Sequence, residues 1–440
     1  MMHTNNIQHN IKSSSKNLDE NRLIMIFKDI FGVNSQNKIP NNFDTWTVNK
    51  QCDWIIKNIT ELFPNMPQSL QSIIPAAFCQ LNNDRTLEKL PEWMDMDKYR
   101  RGQKFVQKNY TAITISKVMG LMYIYTFQEE LKPIILGAHS HTPYLAFQRY
   151  VSTIKRIFSW YGGDPWIKGT KAYKDMQVTR SKHLAMRKKV CQMDHEQITA
   201  ACTFANPWCL DRELLLKDFA AVSSPENFGQ RPYTISNKSP YKPKGINNAD
   251  LSVTQSCFVV IPLLYPQSVG IHDATDEDLE AFCHMWKCYG YFLGIEDEYN
   301  FCRGSLQEIK QRANDFYQYW VIPNFKELTP EWEHTTRCLV EQLNYWPIIY
   351  MPYKAMTLIA TDTLNLNMPN LYASLNYTEW IVYKIYKFMF FYAFKFSTIR
   401  DIINNIIRKA MDEAANYSAE KLEEIHEKSK KILPDFSITY

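Results

Sequence analysis

Residues 142–157 read TPYLAFQRYVSTIKRI and residues 178–187 read VTRSKHLAMR, and these two stretches decide how the chain folds. On a helix, positions three or four apart share one face. The first stretch therefore offers Arg149, Ser152 and Thr153 together, and the second offers Arg180, His183 and Arg187. Between them, Trp160, Tyr161, Gly162, Gly163, Asp164 and Pro165 form a turn cluster that ends the first helix and lets the second return against it. Two faces brought together in this way can enclose a cofactor. The imidazole of His183 can ligate a haem iron, Arg149, Ser152 and Thr153 can line the opposite, ligand-binding side, and Arg180 and Arg187 suit the propionates. On local chemistry alone, a single histidine on a helix is more often a surface or core residue, with its arginines an ordinary solvated face.

The composition agrees with a helical, globular chain. At 440 residues with 45% hydrophobic and 14% aromatic content, a sizeable core can be built. Glycine is scarce at 13 residues, and long segments carry apolar positions at helical spacing, so the fold class expected is all-α. Basic and acidic residues number 50 and 46, leaving a net charge of +4 that argues for no nucleic-acid partner. The ten cysteines form no CxxC pair and no zinc-type cluster, and read as reduced, mostly buried thiols. The first 20 residues are polar, lack the apolar stretch of a secretory signal and are expected to be disordered; a cytoplasmic protein is the expectation.

Along the chain, residues 23–31 and 46–63 read as outer helices, the latter stopped by prolines at 64 and 67. Residues 113–127 are strongly apolar but too short and interrupted to span a bilayer, which predicts a buried core helix. Residues 192–209 read as a helical continuation in which Asp194, His195 and Glu196 make a solvated turn rather than a metal site. Residues 223–248 are rich in Ser, Pro, Asn, Gly and Lys, a long surface loop suited to a lid or to partner binding. HDATDEDLE at 272–280 supplies an N-cap at Thr275 or Asp276 and opens a helix with Leu279, Phe282, Trp286, Tyr289 and Leu293 on one face.

That helix also carries Glu280 and His284. A di-iron bundle needs Glu-x-x-His on two helices, and with a spacing of four and no second copy His284 reads as a core histidine. Residues 380–396, WIVYKIYKFMFFYAFKF, place Lys384, Lys387 and Lys395 on one arc opposite an aromatic face, a pattern that fits either a membrane interface or a core helix with snorkelling lysines. Residues 418–431 are an ordinary solvated helix. GxGxxG after a strand, GxxxxGK[ST], HExxH and GxSxG are all missing, which disfavours dinucleotide enzymes, P-loop NTPases, zinc proteases and serine hydrolases.

Four blocks, PEWMDMDKYRRGQKF at 91–105, the two opening stretches, and EAFCHMWKCYGYFLGIEDEYN at 280–300, occur in an order that resembles one family. It is the haem-dependent oxygenase family that includes the latex-clearing rubber oxygenases and the endoplasmic-reticulum-bound fungal oxygenase of mycophenolic acid biosynthesis. The resemblance covers about residues 91–326, roughly half of the chain. It implies haem b with His183 as proximal iron ligand, Arg149 and Thr153 on the family's signature helix, and His284 packed beside the haem pocket. Ser152 departs from the lysine of the latex-clearing branch, so the resemblance implies no cleavage of polyisoprene; Glu129 and Glu130 stand as candidates for the general base.

The expectation is thus an all-α protein with a globin-like haem-binding core at 91–330, preceded by a tail at 1–20 and helices at 21–90, and followed by a helical region at 331–440. The expected function is oxidation of a hydrophobic substrate, isoprenoid or lipid-like, by dioxygen. Peripheral contact with the endoplasmic reticulum membrane would run through residues 380–396. The alternatives are an inactive haem- or lipid-binding protein of the same fold and a haem-free helical scaffold at a membrane surface.

Overall fold

The computed structural model describes residues 66–77, 79–222 and 245–433, with single positions between residues 40 and 58. The tail at 1–20, the helix expected over 23–31, most of that over 46–63 and most of the loop at 223–248 lie outside the described residues. The fold is all-helical, with 72% helix. Among the described residues there is no strand, and an isolated bridge joins Gln80 to Asn247.

Two helix pairs form the centre. Helix α1 (Met96–Lys108) is opened by Asp95, whose side chain accepts the N–H groups of Asp97 and Lys98. Helix α2 (Tyr110–Ile124) follows after Asn109 alone and is buried around most of its circumference, as the apolar run at 113–127 predicts. Chain-distant partners lie along both: α8 (Asn248–Leu264) on α2, and α9 (Asp276–Phe292) on α1. The close approach depends on glycine, because a Cβ on Gly120 would collide with the Cys257 carbonyl and one on Gly102 with Ala281 O and Met285 Cβ. Helix α9 begins as its sequence requires, Thr275 accepting from Asp278 N–H in a reciprocal capping box.

Around this centre run α3 (Gln128–Leu136), α4 (Pro143–Gly162), α5 (Lys171–Gln192), α6 (His195–Ala201) and α7 (Arg212–Val222). Helices α4 and α5 pack against each other, the hairpin that the turn cluster at 160–165 implies. Helical continuation through 192–209 does not occur. Met193 ends α5 with extended backbone, Asp194 and Gln197 form a capping box that starts α6, and residues 203–211 are non-helical. The helical signal across this break is real, but a capping box outcompetes continuation because it satisfies donors that a new N-terminus exposes.

The longer helices that follow are α10 (Leu306–Phe316), α11 (Pro330–Glu341), α12 (Tyr353–Thr363), α13 (Tyr377–Phe391), α14 (Ser397–Ala414) and α15 (Ala419–Ile432). One cluster of buried side chains extends from Met66 to Phe394, so the helices after Pro330 share their core with those before it. A smaller cluster, including Phe147, Trp346 and Met411, fastens α14 and α15 to α4. The segment at 380–396 is not one helix: α13 stops at Phe391 and a short turn of Ala393–Lys395 leads into α14. Nor do its three lysines share one role. Lys387 Nζ lies 2.8 Å from Asp362 Oδ2 and 3.2 Å from the Tyr383 hydroxyl, turned towards the protein, whereas Lys384 and Lys395 are exposed.

Candidate functional site

Helix α4 starts on Thr142, whose hydroxyl accepts Leu145 N–H, with Pro143 in the first turn; α5 starts on Thr170, which accepts Tyr173 N–H. Their packing sets Arg149 close enough to His183 for its charge to act on the imidazole. Burial first, and Arg149 second, push His183 down to about 4. Its Nδ1 is buried and makes no hydrogen bond. Arg149 itself donates from Nη1 to Ser140 Oγ at 3.0 Å, and its guanidinium lies 5.7 Å from the Tyr150 ring. The two residues that the sequence pairs are therefore brought together, with a neutral imidazole between helices.

Their neighbours on each helix behave differently. Arg180 spends its fork on the carbonyls of Arg85 and Asn83, both at 2.7 Å, and Arg187 donates to Ile246 O at 2.9 Å. Both arginines tie α5 to loops, so neither guanidinium is held open for a propionate. Ser152 Oγ accepts from Arg156 Nη1 at 2.7 Å, and Thr153 is exposed. A helical face is wide, and the sequence cannot say which part of it meets a neighbour. His284 lies elsewhere. Its Nε2 accepts Asp95 N–H at 3.0 Å and its ring stands edge-on to Trp93, so it joins α9 to the turn before α1 and has none of the His183 neighbours among its partners.

The interior also holds polar groups that the sequence reading largely missed. Glu130 on α3 accepts from Thr254 Oγ1 at 2.8 Å through Oε2, while Oε1 is buried without a partner. Burial, then the nearby Asp250 and Glu129 carboxyls, raise Glu130 well above the usual carboxylate range. Asp250, at the start of α8, accepts Asn247 N–H at 3.0 Å, and burial raises it to about 7. Tyr125 and Tyr150 share a hydrogen bond of 2.9 Å beside Arg149. Deeper still, Lys117 Nζ has no hydrogen bond and sits 4.2 Å and 4.7 Å from the Phe158 and Tyr161 ring centres; burial lowers it to about 7. A lysine within an apolar run was a visible signal for this last group. Asp250 gave none, since an acid at the third position of a helix looks like a cap.

A shallow groove of about 450 Å³ runs along a different face of α5, lined by Lys174, Gln177, Val178, Ser181, Lys182 and Ala185. Among the described residues no three His, Cys, Asp or Glu side chains converge as a metal site. A haem asks for one protein ligand only, and a neutral imidazole with an unbonded ring nitrogen is the state that ligates iron. His183 fits that part of the requirement. Arg180 and Arg187, held on carbonyls, do not fit the propionate part.

Asp250 gives a pH-dependent prediction. Its folded value of about 7 stands above the ordinary 3.8, so the stability contributed by its neutral form is complete in acid and lost as pH rises towards 7. Asp250→Asn keeps an oxygen for Asn247 N–H and is neutral throughout. The variant should gain stability relative to the unsubstituted protein between about pH 4 and about pH 7, with a constant difference above. Urea midpoints across that range check this, and parallel curves would show that Asp250 is ionised in the fold.

No family model, curated protein or solved structure matches the chain.

Proposed function

We propose that the protein is a haem-dependent oxygenase that acts with dioxygen on a hydrophobic, isoprenoid or lipid-like substrate. The observation that carries this reading is His183, a half-buried imidazole kept neutral beside Arg149, with its Nδ1 shut off from solvent and unbonded. The resemblance of residues 91–326 to the haem-dependent oxygenases, which includes the His183 block, points the same way. Haem bound at His183 would supply the activation of dioxygen. The chain's own groups contribute orientation and proton handling. The Arg149 guanidinium can donate charge-assisted hydrogen bonds towards the interior, and the Tyr125–Tyr150 pair restrains the wall beside it. Glu130, its carboxyl raised well above the usual range by burial and its Oε1 unengaged, can give up or take back a proton next to Asp250. The aromatic and aliphatic surroundings of α2 and α8 exclude water from these groups.

Oxygen uptake by the haem-loaded protein, with isoprenoid and fatty-acyl substrates offered in turn, tests the activity. Substrate-dependent consumption is expected, and it should fall at least tenfold in Glu130→Gln, since general acid–base groups contribute on the order of a hundredfold or more. A haem-loaded protein that consumes no oxygen with any of them would leave a binding protein of the same fold. A second reading, a haem-free helical protein at a membrane surface, is favoured by the engagement of Arg180 and Arg187 with backbone carbonyls.

A further inference from the structure

We propose that the outward sides of α13 and α14 form a docking surface for anionic lipid membranes. Both helices are anchored by their inner faces: Tyr383 and Phe390 enter the core from α13, and Arg400, Asn404 and Met411 are buried from α14. The outer face of such a helix is ordinarily polar. On these two it carries an apolar stripe. Tyr377 is 77% exposed, Phe388 60%, Tyr392 60%, Phe396 65% and Ile402 53%. On α13 the exposed series continues through Trp380, and on α14 through Ile399 and Ile406. The steps of three and four residues give one stripe on each helix, and the stripes adjoin at the turn of Ala393–Lys395. Single exposed apolar residues are normal, whereas a continuous series marks an interaction surface.

The chemistry of the stripes selects lipid over protein. Tyrosine and tryptophan favour the boundary between headgroups and acyl chains. Lys384 stands within the α13 stripe and Lys395 in the turn after it, Lys384 Nζ 5.5 Å from the Tyr372 and Trp380 ring centres and Lys395 Nζ 5.6 Å from that of Tyr392. Neither lysine makes an ion pair within the described residues, and Asp401 is the one exposed acid between residues 377 and 409. Protein interfaces are depleted in lysine at their centre, so a second copy of this chain is the poorer match. No described helix is long and apolar enough to cross a membrane, which leaves binding in the plane of the surface.

Flotation of the purified full chain with phosphatidylcholine vesicles, with and without phosphatidylserine, tests this and needs no haem. The protein should rise with the phosphatidylserine vesicles and be released by salt. Lys384→Gln with Lys395→Gln should cut binding on the order of 25-fold, at about fivefold per positive charge lost. Phe388→Ser with Phe396→Ser, both at exposed positions, should abolish it with the helical circular dichroism unchanged. The proposal is overturned if the unsubstituted protein never floats. It is overturned equally if the phenylalanine pair instead converts a dimer to a monomer, seen by sedimentation, without any effect on vesicles.

Discussion

His183→Ala should yield a folded protein without haem, while His284→Ala and His195→Ala retain it. On the proposed reading the imidazole of His183 would supply the bond to iron, and a methyl group cannot replace it. The fold should survive. His183 makes no hydrogen bond through Nδ1, so its removal strands no donor or acceptor. By contrast, His284 Nε2 receives Asp95 N–H, and its loss should cost stability by about 1 kcal/mol without touching the iron. Iron content and the Soret band of the three variants, set against their circular dichroism, give the comparison. Equal haem loss in all three at unchanged helicity would remove His183 from its assigned role.

Arg337→Ala should be the most damaging single change to stability described, at about 3–5 kcal/mol. Arg337 is buried on α11 and holds two buried carboxylates: Glu333 Oε1 at 2.8 Å and the side chain of Asp211. Glu333 in turn accepts Asp211 N–H at 2.8 Å, and Lys354 reaches Asp211 only at 3.7 Å. Without the guanidinium, two negative charges are left in the interior with one distant cation. Burial already raises Glu333, against the pull of Arg337, so in the variant it should be protonated more readily. The deficit should therefore shrink as pH falls through the carboxylate range. Denaturation midpoints at neutral and acid pH measure both effects. A loss below about 1 kcal/mol would mean that water reaches the pair and screens it.

What the sequence made legible was local. The buried run that became α2, the cap at Thr275 and the return of α5 onto α4 each depend on nearest neighbours and helical spacing, and each is found. His183 and Arg149 were legible as a pair because the α4–α5 hairpin brings one face of each helix together. What failed depended on distant partners. Arg180 and Arg187 meet carbonyls of residues 83, 85 and 246, His284 meets Asp95, and Lys387 meets Asp362, none of which spacing on the same helix can foretell. The Glu130–Asp250 neighbourhood is of the same kind, built where α3 and α8 come together far from each other in the chain.

The absorption spectrum of the purified full chain, expressed with ample haem and paired with an iron determination, tests the central claim most directly. A Soret band with stoichiometric iron, extractable by acidified organic solvent, is the predicted result, since no CxxCH stands in the sequence to attach the group covalently. A colourless, iron-free protein that stays so when haem is added would contradict it.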